Sequence, residues 1–109
     1  MKRYLTESEI AVLARQLAQS YRSVESLEDL RQWGDRAETE LIALKLRAKS
    51  NNIRYWLVQA ERSAHWLSLQ AEPIYPNDVN GVFYGVIQAR LAQRAYERQY
   101  PASFKAAQS

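Results

Sequence analysis

Between residues 35 and 71 the chain contains neither glycine nor proline, and apolar side chains recur through it at helical spacing. Ile42, Leu46, Ile53, Leu57, Ala60, Ala64, Leu67 and Ala71 form one stripe, separated by steps of three, four and seven. A half-buried strand needs strict alternation and frequent turn residues, and this stretch has neither. A second stripe, Leu41, Leu44, Ala48, Tyr55, Trp66 and Leu69, runs along the other side. Two apolar sides imply a helix that touches more than one neighbour. Only Ser50-Asn51-Asn52 interrupts the pattern, and these are cap and turn formers. Because the stripe keeps its phase across them, the spacing favours one long helix over 35–71, kinked at 50–52, above two helices broken there.

The flanking segments are helical as well. In LTESEIAVLARQLAQSY, Thr6 and Glu9 have capping-box spacing, and Leu5 with Ile10 can form a hydrophobic staple. The expected helix covers 7–21. Ser26 caps a short helix over 27–33, which Gly34 would end as a left-handed residue. Asp35, Glu38 and Glu40 would then complement the start of the long helix. The Pro-containing AEPIYPNDVNG reads as a loop, with Asn77 or Asp78 capping a last helix over 78–99. VFYGVI beside Asn80-Gly81 offers a hairpin as the competing reading, but no other strand is there to pair with it. Residues 101–109 read as a loose tail, with Phe104 able to dock.

The expected fold is therefore all-α, a small bundle of about four helices in a single domain over 1–109. Composition agrees. Gly and Pro number three each, few for a sheet protein, while 47% hydrophobic content supplies one modest core. The absence of cysteine excludes disulfides, thiolate metal sites and cysteine nucleophiles. With no signal-like apolar run after the first residues and no membrane-length segment, the expected location is the cytoplasm.

Chemistry finds little purchase. One histidine, His65, has Glu61 four residues before it, half a metal site at best. No serine lies in a glycine-flanked nucleophile elbow, and no phosphate-binding glycine loop occurs. Most carboxylates stand where helix starts want them. The expectation is a protein without catalytic activity, cofactor or metal.

The surface is more suggestive. The fifteen basic residues, most of them Arg, give a net charge of +3. Arg90, Arg94 and Arg98 recur every four residues on the last helix, and Arg47, Asn51 and Arg54 cluster around the midpoint. Arg binds carboxylates and phosphates bidentately, while Trp and Tyr anchor interfaces; Trp56 and Tyr96 join the candidates on that ground. Gly81, Gly85, Ala89 and Ala92 make a small-residue face for close helix packing or a homodimer seam. These features suggest a small helical regulator, adaptor or inhibitor that contacts another protein carrying an acidic patch. Nucleic-acid binding through the Arg faces is the alternative. A helix-turn-helix over 7–33 is disfavoured, since Glu28 and Asp29 would face the phosphates.

Overall fold

Four helices form the chain in the computed structural model, which describes residues 4–70 and 76–101: α1 (Glu7–Tyr21), α2 (Leu27–Lys45), α3 (Asn51–Ser68) and α4 (Pro76–Gln99). The described residues contain no strand, and VFYGVI lies within α4. Residues 71–75 of the expected loop, and the expected tail beyond Pro101 with Phe104, lie outside the described residues.

The caps explain where the first helices begin. Thr6 Oγ1 accepts the Glu9 amide at 3.3 Å, while Leu5 and Ile10 on either side of the cap are fully buried. Ser26 Oγ accepts the Asp29 amide at 3.1 Å, and Asp29 reaches back to accept the Glu25 amide at 3.1 Å. Each pair satisfies amides that the helix itself leaves without partners.

Two expected boundaries are corrected. α2 runs straight through Gly34, so the short helix over 27–33 and the helix start at Asp35 do not exist. Gly34 has no positive φ and serves close approach instead. A Cβ there would lie 2.8 Å from the Ala64 carbonyl oxygen and 2.9 Å from Leu67 Cβ, both on α3. The second correction is at 50–52, where the long helix is broken. Ser50 is extended (φ −121°, ψ 154°), and its Oγ accepts the Ile53 amide at 3.2 Å. A turn precedes it, in which the Arg47 amide donates to the Leu44 carbonyl at 3.0 Å and the Ala48 amide to that of Lys45 at 3.2 Å.

The stripe phase that argued for continuity turns out to be composed of two different faces. Before the break the second stripe is the buried one: Leu41 and Ala48 are core, while Ile42 and Leu46 of the first stripe are 36% and 64% exposed. After the break the first stripe is core, through Ile53, Leu57, Ala60, Ala64 and Leu67, and Tyr55, Trp66 and Leu69 of the second stripe are exposed. The two stripes exchange roles at Ser50.

α4 starts two residues before the expected position. Proline suits the first helical residue, where its missing amide leaves no bond unmade and its φ is already helical. Asn77 and Asp78 then fall inside the first turn, and Asp78 complements the positive helix end.

α3 is the central element, packed between α2 and α4, and α1 lies across α4 and α2. The core joins Leu5, Ile10, Leu13 and Leu17 to Trp33, Leu41 and the inner face of α3, and to Val79, Val82, Val86 and Ala89 of α4. Trp33 ties three helices together. Its Nε1 donates to the Leu17 carbonyl (3.1 Å) and Ser20 Oγ (3.0 Å), and its ring packs 5.3 Å from Tyr21 and 5.7 Å from Phe83. No helix among the described residues is long and apolar enough to cross a membrane.

Candidate protein-contact surface

The six arginines on α3, on α4 and in the turn before α3 fall into two groups. Arg47, Arg90 and Arg94 hold α1 in place. Arg47 forms a two-pronged ion pair with Glu9, one prong at 2.8 Å, and donates to the Tyr4 carbonyl at 3.1 Å. Arg90 and Arg94 both reach Glu7 Oε1, at 3.2 Å and 2.7 Å. Glu97 completes this clasp by accepting the Glu7 amide at 2.6 Å, and Gln93 Nε2 donates to the Leu5 carbonyl at 2.8 Å. The hydrogen bond from Arg94 holds the Glu7 carboxyl below its ordinary range, against the opposing effect of burial. Burial pushes the Glu9 carboxyl up, but the hydrogen bonds and charge of Arg47, with help from Thr6, leave it lowered on balance. These three cations therefore face carboxylates of their own chain.

Arg54, Arg62 and Arg98 form the second group. All are exposed. Among the described residues, Arg54 donates hydrogen bonds to the Asn51 side chain and the Ala48 carbonyl, both at 3.1 Å. Asn51 is thus bound to Arg54 at the start of α3, and its side chain is exposed.

The small-residue face packs inside the chain. A Cβ on Gly85 would lie 2.8 Å from Ala60 Cβ and 2.9 Å from the Trp56 carbonyl, and one on Gly81 would lie 2.5 Å from Ser63 Oγ. Ala89 is fully buried, and Ala92 is half-buried against the core. Glycine and alanine here bring α4 close to α3.

Aromatic side chains mark the outward side of these two helices. Tyr55, Trp56 and Tyr84 stand in a row with edge-to-face contacts at 5.0 Å and 5.7 Å, bridging α3 to α4. Trp56 is anchored against the core, but Tyr55 and Tyr84 are 53% and 57% exposed. Trp66 is 59% exposed, one further turn-set along the same side of α3 as Tyr55. On α4, Tyr84, Ile87 and Leu91 follow one another at steps of three and four, and all are exposed. Tyr96 is half-buried against the core and packs 4.8 Å from Tyr100. The sequence reading did not single out Arg62, Trp66, Tyr84, Ile87 or Leu91. For Tyr84, Ile87 and Leu91 the available signal was the phase of α4: with Val79, Val82, Val86 and Ala89 inward, these positions face outward.

Elsewhere exposed apolar chains such as Val12 and Leu46 are scattered, and several polar pairs link the helices. His65 Nδ1 lies 2.8 Å from Glu38, and Lys45 Nζ lies 2.9 Å from Glu61, so both contacts join α2 to α3. Among the described residues no group of three His, Cys, Asp or Glu side chains could hold a metal ion. A cavity of about 180 Å³ between α1 and α2 is lined by Leu13, Leu17, Trp33 and the polar chains of Gln16, Arg36 and Glu40. No protein-family model, curated protein or solved structure matches the chain.

Proposed function

We propose that this is a non-catalytic binding protein that acts by contact with another protein, through the outward side of α3 and α4. The supporting observation is the band of exposed aromatic and aliphatic chains formed by Tyr55, Trp66, Tyr84, Ile87 and Leu91 on adjacent helices. Isolated exposed apolar residues are ordinary, whereas a contiguous band on a small domain marks a contact surface. Tyr and Trp carry a large share of binding energy at such surfaces. The competing nucleic-acid reading loses three of its cations, because Arg47, Arg90 and Arg94 are held by Glu9 and Glu7.

Site-specific photocrosslinking in cells tests this. A photoreactive residue at Tyr84 or Trp66 is expected to trap a discrete polypeptide, and one at Ala18 on the exposed side of α1 is not. Crosslinks to nucleic acid at Tyr84 and Trp66, or equal polypeptide yields at all three positions, would overturn the proposal.

A further inference from the structure

The band has a charge pattern as well as an apolar one. Along α3, Tyr55, Arg62 and Trp66 follow at steps of seven and four, which places them on one side of the helix. Leu69 continues the line and is exposed. Along α4, Tyr84, Leu91 and Arg98 follow at steps of seven, again on one side. The Tyr55–Trp56–Tyr84 row joins the two lines into one surface. Of the carboxylates on α3 and α4, Glu61 is bound to Lys45, Glu97 is bound to the Glu7 amide and Gln93, and Asp78 sits at the α4 start. Arg54, Arg62 and Arg98 make no ion pair among the described residues. Carboxylates of α2 (Glu28, Asp35 and Glu38) stand beside the Leu69 end; away from that end, Arg62 and Arg98 present positive charge beside the apolar strip without a carboxylate partner among the described residues.

Resting on the reading above, we infer that this face receives an acidic amphipathic helix of another protein. Three observations select that occupant. First, the exposed line on α3 from Tyr55 to Trp66 spans roughly 16 Å, about three helical turns, which suits a helix laid along the crease between α3 and α4. Second, Ile87 and Leu91 are aliphatic and offer nothing to a base or phosphate, whereas they match apolar residues spaced three and four apart on a partner helix. Third, carboxylates flanking that apolar stripe would meet Arg62 on the α3 side and Arg98 on the α4 side.

The test uses the full chain and three labelled peptides of about 18 residues, long enough for five turns. One is an amphipathic helix with leucines at steps of three and four and glutamates on the flanks. The second carries lysines in place of the glutamates, and the third is a scramble of the first. Fluorescence anisotropy measures affinity, and the three tryptophan indole NMR signals report the location. The acidic helix is expected to bind saturably, about tenfold or more tighter than the other two, and to shift Trp66 and Trp56 but not buried Trp33. The double variant Arg62→Glu, Arg98→Glu, whose folding is checked by circular dichroism, should reverse the preference toward the lysine peptide. If the lysine or scrambled peptide binds the parent equally well at Trp66, the acidic assignment falls while protein contact stands. If no peptide moves Trp66 but a single-stranded oligonucleotide or a phosphatidylserine vesicle does, both fall. Sedimentation showing a dimer that Trp66→Ala dissociates would also overturn the inference.

Discussion

Replacing each glycine by alanine should separate the three helical glycines by what stands opposite them. In a helix interior, Gly→Ala alone gains about 1 kcal/mol from backbone entropy. Against this stands the space that the new methyl group requires. At Gly85 a Cβ would meet Ala60 Cβ at 2.8 Å, and also the Ala60 nitrogen and Trp56 carbonyl oxygen at 2.9 Å. Two of these atoms are backbone, so relief requires moving α4 away from α3. Overpacking of this kind costs about 1–3 kcal/mol, and more where backbone must shift. The net expectation for Gly85→Ala is a loss of roughly 1–2 kcal/mol. Gly34→Ala should behave alike, since the Ala64 carbonyl oxygen and Ser68 nitrogen stand 2.8 Å and 3.0 Å away. At Gly81 the nearest atom, at 2.5 Å, is Ser63 Oγ, the end of a side chain that can rotate away. Gly81→Ala should therefore keep most of the helix gain and end up between neutral and about 1 kcal/mol more stable. Urea unfolding followed by circular dichroism measures all three differences on one scale. Equal effects at Gly81 and Gly85, or a stabilised Gly85→Ala, would refute the close-packing account of this face.

Three further outcomes follow from the same structure. The Glu7 and Glu9 carboxyls are lowered from 4.5 in the folded chain, so as pH falls the unfolded chain takes up their protons first. Their stabilisation is present above about pH 4.5 and is lost as pH falls through their folded-state values. The urea midpoint should drop across that window, and less steeply in Glu7→Gln/Glu9→Gln; an unchanged acid slope in that variant would remove the clasp from the explanation. Ser50→Ala should cost about 1 kcal/mol through the lost cap, measured by the same unfolding. A continuous helix would instead gain from alanine at 50, so the sign of the change decides. Trp33→Ala should cost about 3–5 kcal/mol, as for other large buried side chains, and should abolish near-ultraviolet circular dichroism from the Tyr21–Trp33–Phe83 cluster before the far-ultraviolet signal is lost.

Local chemistry made much of this fold legible. Thr6 and Ser26 announce their helices because a cap needs only its own next three residues. Gly34 misleads because one residue type serves two purposes, a left-handed helix end and a close approach, and only the position of α3 distinguishes them. The stripe through Ser50 misleads for a related reason. Periodicity measures which apolar residues share a side, and it carries no sign for which side is buried. The row Arg90, Arg94 and Arg98 stands out in the sequence, but its division does not. Arg94 meets Glu7 from 87 positions away, a distance over which sequence spacing has nothing to say. Gln93 is hidden in the same way: a polar chain in the inward phase of α4, fully buried beside Leu5 and Glu97.

The clasp on α1 also sets an order of assembly. α2 with α3, and α3 with α4, pack as neighbours in sequence, so each pair can close as soon as both members exist. α1 is different, because the groups that hold Leu5 and Glu7 lie at positions 90–97 near the end of α4. During synthesis the helix made first must wait for the helix made last, and until then its apolar side is covered only in part, by Trp33 of α2. Amide exchange should accordingly find α1 the first helix to open and the last to be secured.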